Sequence, residues 1–129
     1  MSRPARPRRL GRPRPRPGAR GNAAPLRCAP DISPVVEQLR TLIREVVPGV
    51  EERVYKGETS AGYHDPQAGC FCGFFSAPGV VWIEFPHGVV LSPPEAILRK
   101  GRYVQFHPGD RIPRKALARI LHGALVASM

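Results

Sequence analysis

The chain has 129 residues, enough for one domain with a core of its own, and a formal charge of +10 that is very unevenly distributed. Residues 1–30 hold nine arginines and no acid, which leaves eleven basic against ten acidic residues for the rest, so the basicity belongs to the tail. Three cysteines (Cys28, Cys70, Cys72) do not supply a disulfide framework, and no apolar run approaches the ~18 residues of a membrane-crossing helix. Reduced thiols point to a cytoplasmic setting, and no apolar signal-peptide core follows the arginines.

In chain order, residues 1–30 are Arg, Pro, Gly and Ala with almost no large aliphatic side chain. Seven prolines forbid a helix, and nothing there offsets the entropy of ordering, so a disordered tail is predicted. Its arginines, Arg8, Arg9, Arg12, Arg14 and Arg16 among them, suit phosphate contacts through counterion release, although no aromatic residue interleaves with them to stack on bases. The body, residues 31–129, opens with a helix over 31–47. Ser33 is its expected cap, Pro34 its first helical residue, and Val35, Val36, Leu39, Leu42, Ile43, Val46 and Val47 its apolar stripe. Pro48 and Gly49 end it. A charged strand is predicted over 50–57 and a shorter extended piece over 61–64.

Residues 69–85, GCFCGFFSAPGVVWIEF, read as two strands joined at 76–79. Strict alternation with a four-residue connection puts Cys70, Cys72, Phe74, Val81, Ile83 and Phe85 on one apolar face, toward the core. Phe71, Gly73, Phe75, Trp82 and Glu84 take the other, with Gly73 opposite Trp82. A strand at 89–91 is expected next, then a short helix over 93–100 signalled by the capping box beginning at Ser92, then an alternating strand over 102–107. A last helix is expected from a cap at Asp110 to about residue 128, with Leu117, Ile120, Leu121 and Ala124 inward. Two amphipathic helices and a sheet with one apolar face give an α+β two-layer sandwich: both terminal helices on one face of an antiparallel sheet of five or six strands, plus the short extra helix.

The open sheet face should carry Phe71, Trp82, Glu84, Tyr103, Gln105 and His107, a carboxylate and polar groups among aromatics that suit a small molecule or peptide. Cys70 and Cys72 are expected as core thiols, and no metal-ligand set is assigned. Glu45, Glu51 and Glu52, interleaved with Arg44 and Arg53, read as a solvated mixed-charge surface. The Tyr-Lys-Gly after the first strand, the Phe-Pro-His-Gly turn, the Pro-Pro-Glu segment and the glycine before the last strand make residues 32–125 resemble the YdhG-like family of small bacterial domains of unknown function. The resemblance implies frataxin-like topology and, through one branch of the family, an intracellular iron chaperone, which brings iron in as a candidate ligand. The acidic ridge associated with frataxin-type iron handling is represented here by Glu37 and Glu45, offset by Arg40 and Arg44. Three readings follow: a non-catalytic ligand-binding or iron-handling module, a nucleic-acid-associated protein acting through its tail, and a small enzyme using Glu84 and His107 as an acid-base pair.

Overall fold

The computed structural model describes residues 26–55 and 59–129, and the tail arginines Arg8, Arg9, Arg12, Arg14 and Arg16 lie outside them. The elements are α1 (Ser33–Val46), β1 (Glu51–Val54), β2 (Ser60–Asp65), β3 (Gly69–Ala77), β4 (Val80–Glu84), β5 (Tyr103–Phe106) and α2 (Arg114–Ala127). The strands form one antiparallel five-stranded sheet in the order β1-β2-β3-β4-β5. Both helices pack on one face of it, making the α+β two-layer arrangement. The inward row Val54, Ala61, Phe74, Ile83 and Val104 runs across all five strands and meets Leu39 and Ile43 of α1 and Leu117, Ile120 and Leu121 of α2 in one core. Each fully buried Phe, Leu, Ile or Val among them contributes about 1.5–3 kcal/mol of transfer free energy.

Local cap signals give way to burial at both helices. α1 begins at Ser33, with the completely buried Ile32 at the cap position and no side-chain cap. Leu26, Cys28 and Ala29 also pack against the core, Cys28 Sγ lying 3.3 Å from Ser76 Oγ, so the body begins before residue 31. α2 begins at Arg114 rather than Asp110. The Asp110 carboxylate instead accepts the His107 backbone N–H at 2.7 Å, closing the turn after β5.

The expected strand at 89–91 and helix at 93–100 do not form. Val90 donates its N–H to Gly123 O of α2 at 3.1 Å, and a Cβ on Gly123 would stand 2.5 Å from Val90 O, so a glycine is what lets this segment lie on the helix. Glu95, the acid of the expected capping box, is bound by Arg119 of α2 at 2.5 Å, and Ile97 and Leu98 turn toward the core. Tertiary partners have outcompeted the local helix signal here.

Two features of the sheet set its faces. The β3–β4 turn is Pro78 and Gly79 alone, Gly79 having φ 83°. The expected four-residue connection is therefore two residues too long. The shift is even, so the faces survive, but Phe75 stands opposite Trp82 and Gly73 opposite Glu84. Between β2 and β3 the register slips: Tyr63 pairs with Cys72 and His64 with Cys70, leaving Phe71 as the extra residue of a bulge. Alternation breaks there. Phe71, expected on the open face, is 0% exposed in the core, while Cys70, expected inside, is only half-buried and reaches the outer side. Cys72 stays buried, and burial pushes its thiol pKa up.

Of the mixed-charge surface expected from Glu45, Glu51, Glu52, Arg44 and Arg53, Glu51 and Arg53 form an exposed pair and Glu45 is exposed, but Glu52 leaves the group. Glu52 points inward from β1, its side chain 2% exposed. Arg40 of α1 grips it with Nε at 2.8 Å and Nη2 at 2.6 Å, and Tyr63, its cross-strand neighbour, donates its hydroxyl at 2.5 Å. Arg44 stands 3.7 Å away, and Glu37 takes the remaining Arg40 nitrogen at 2.8 Å. The Glu52 hydrogen bond holds the Arg40 guanidinium still more firmly charged. Burial, reinforced by Glu52, drives the Tyr63 phenol far above its usual range.

Candidate functional site on the outer sheet face

The face that neither helix covers carries two rows of side chains. One reads Arg53, Gly62, Gly73, Glu84 and Tyr103 across all five strands, and the next places Phe75, Trp82 and Gln105 side by side on β3, β4 and β5. Alternation puts Tyr55, just past β1, on the same side, where its backbone N–H donates to Ser60 O at 2.9 Å. Gly62 and Gly73 are direct partners in the middle of the sheet, so side-chain cover is missing there. The result is a groove of about 330 Å³ lined by Tyr55, Phe75 and Tyr103, with Glu84, Arg102 and Cys70 also in its lining. A shallower depression shares Phe75, Glu84 and Tyr103 and adds Trp82.

The two glycines play different parts. A Cβ on Gly62 would overlap the Tyr55 phenol, so the Tyr55 ring sits on Gly62 as a lid on bare backbone. A Cβ on Gly73 would come within 2.8 Å of Ala61 O, so the strands here can approach only without one. Desolvation raises the Tyr55 pKa, the neighbouring Cys70 adds to the rise, and Arg53 opposes it. Tyr55 Oη lies 3.3 Å from His64 Nε2.

Desolvation lowers the His64 pKa, Arg53 lowers it further, and Glu51 pulls the other way. With its folded value depressed, His64 is neutral at pH 7. The stability linked to it is complete above about pH 6.5 and is lost as pH falls through the folded value. An NMR titration of the histidine ring protons is expected to place the His64 midpoint below about 6.5. A midpoint at or above that value would contradict the desolvated position beside Tyr55.

Of the residues selected from the sequence, Trp82, Glu84, Tyr103 and Gln105 share the outer face, and Glu84 and Tyr103 line the groove. Phe71 does not belong with them, because the bulge turns it into the core. His107 is exposed beyond the end of β5, its Nε2 3.1 Å from Gln105 Nε2 and its Nδ1 3.7 Å from Asp110. Glu84 pairs with Tyr103, four residues before His107. At about 3.4 Å per residue that is roughly 14 Å along the strand, too far for Glu84 and His107 to act as one acid-base pair. Sequence reasoning did not place Tyr55, Cys70 or Arg102 on this face: Cys70 was expected in the core and Arg102 in a basic turn. Alternation from Glu51 and Arg53 was enough to find Tyr55, whereas Cys70 requires knowledge of the bulge.

The two acids expected to represent an iron-handling ridge are tied to arginines: Glu37 to Arg40 at 2.8 Å and Glu45 to Arg114 at 2.5 Å. Among the described residues, no three His, Cys, Asp or Glu side chains form a group that could hold a metal ion. No helix among them is long and apolar enough to cross a membrane. Compared with models of known families, with curated proteins and with solved structures, the chain matches none.

Proposed function

We propose that the protein is a non-catalytic binding module that holds a planar aromatic molecule in the groove on the outer sheet face. The observation that carries this reading is Gly73, bare backbone in the floor of a cleft walled by aromatic rings. A flat ring can lie against the exposed peptides while Phe75 and Tyr103 flank it. The Glu84 carboxylate then accepts from a ligand N–H, and Arg102, also in the lining, serves an acceptor. All three cysteines are free thiols, which fits a reducing cytoplasmic setting. The YdhG-like resemblance fits the same reading, since its frataxin-like plan leaves one sheet face uncovered.

A set of planar heteroaromatic fragments, titrated while backbone amides are followed by NMR, tests it. Binding members are expected to shift Gly73, Glu84 and Tyr103 together and to quench Trp82, the sole tryptophan. Glu84→Gln is expected to weaken them about 10-fold, corresponding to a hydrogen bond to a charged group of about 1.5 kcal/mol. Shifts confined to the helices, or none on the outer face with any fragment, would defeat the proposal.

A further inference from the structure

The geometry points to a nucleoside monophosphate as the ligand of the groove, its base lying on Gly73 beside Glu84 and its phosphate held by the basic turn that leads into β5. The inference rests on the groove being a ligand site and names the class of ligand. The outer row of side chains does not stop at β5. Arg99 donates its backbone N–H to Tyr103 O at 2.7 Å and accepts that of Tyr103 at 3.2 Å, so the two are direct antiparallel partners. Partners share a face, and Arg99 therefore follows Gly73, Glu84 and Tyr103 in line across the outer side. Lys100 and Gly101 turn the chain between them, both at positive φ (54° and 66°), and Arg102 N–H closes the turn on Arg99 O at 2.9 Å. Arg102 is in the groove lining, with Arg99 and Lys100 exposed beside it.

Among the described residues, none of these three cations is matched by an acid in a salt bridge. Arg102 Nη1 donates to Pro86 O at 3.3 Å, and Glu95, four residues before Arg99, is bound to Arg119. A phosphate monoester brings nearly two negative charges and three acceptor oxygens, which answers a cluster of this kind. Glu84 orients the rest of the molecule. Its carboxylate repels phosphate from the floor of the groove and accepts from the exocyclic amino group of a base. Tyr103 stands between Glu84 and Arg99 in the row. Two strand spacings of about 4.8 Å each thus separate the acceptor for the base from the first cation, which leaves room for a ribose over Tyr103. Rings and a carboxylate alone suit any amino heterocycle, and cations alone suit any phosphate. A molecule that carries both, a sugar apart, satisfies the whole row.

The test follows Trp82 fluorescence and backbone amide shifts of the full chain, with guanosine 5′-monophosphate, guanosine and inosine 5′-monophosphate as probes. Guanosine 5′-monophosphate is expected to bind about 10- to 150-fold more tightly than guanosine, the worth of charged hydrogen bonds to the phosphate. It should also bind about 10-fold more tightly than inosine 5′-monophosphate, which lacks the amino group offered to Glu84. Gly73 and Glu84 should shift with nucleoside and nucleotide alike, and residues 99–102 with nucleotide alone. Arg99→Gln with Lys100→Asn is expected to erase the preference for nucleotide over nucleoside, and asparagine tolerates the left-handed backbone at position 100, so the turn survives. Arg99→Lys should keep most of that preference, because the charge stays. Equal affinity for nucleotide and nucleoside, equal affinity for the two nucleotides, or a preference that survives the paired turn replacements would overturn the inference. Heteroaromatic fragments that shift Gly73 and Glu84 while no nucleotide binds would also overturn it, yet leave the binding-module reading standing. If neither fragments nor nucleotides shift the outer face, both fall.

Discussion

Glu52→Leu is expected to cost about 3–5 kcal/mol of folding stability, the penalty for stranding a buried charge. The leucine fills much of the space of the glutamate but leaves the Arg40 guanidinium, gripped by two Glu52 oxygens, short of its main partner under the sheet. It also leaves the Tyr63 hydroxyl without its acceptor. Arg40→Met added to Glu52→Leu should recover most of the loss, because a buried ion pair does little more than repay its own desolvation. Tyr63→Phe should recover about a further 1–3 kcal/mol by removing the orphaned hydroxyl. Urea unfolding of the single, double and triple variants checks the order. A Glu52→Leu variant within about 1 kcal/mol of the parent would mean that the carboxylate is solvated, as its charged neighbours suggest on paper. Tyr63 adds a pH signature. Its folded pKa lies above the unfolded value of about 10, so its contribution is complete below that pH and declines as pH rises beyond it. The decline should be smaller in Tyr63→Phe.

The second large effect concerns two neighbouring residues whose roles the bulge exchanges. Phe71→Ala is expected to cost about 3–5 kcal/mol, since it empties a fully enclosed aromatic site. Cys70→Ala should cost no more than about 1 kcal/mol, because the thiol lies half-buried in the groove lining. Unbroken alternation along β3 would reverse the pair, so parallel thermal melts of the two variants decide which residue looks inward. Equal small losses would show that neither fills the core.

Much of the architecture could be read from residue spacing. The stripes of α1 and α2 recur at helical period, the strands alternate, and Pro78 with Gly79 marks the hairpin, so the two-layer plan follows from local pattern and the need to bury three apolar surfaces. What escaped the reading depends on partners distant in sequence. Glu52 looks solvated until Arg40, on a different element, closes over it. The capping box at Ser92 looks like a helix start until Arg119 takes its acid. The bulge is visible only once β2 is laid beside β3, because both Cys70 and Phe71 suit a strand. For the site, Trp82, Glu84 and Tyr103 follow from alternation alone. Phe71 and Cys70 were misplaced for one reason, a single inserted residue that inverts parity on its N-terminal side.

The order of the strands has a kinetic consequence. Each strand pairs only with the one that follows or precedes it in the chain, and the two-residue β3–β4 turn closes the tightest of these contacts. Little loop-closure entropy is spent before the central hairpins form, and a topology so rich in local pairings belongs among the faster-folding mixed domains. The costly step is the meeting of the two ends, when α1 docks against α2 across the whole length of the sheet. The sealing of the interior waits on that meeting, whereas the Arg40–Glu52 pair joins the neighbouring elements α1 and β1, only twelve residues apart, and needs no contact between the two ends.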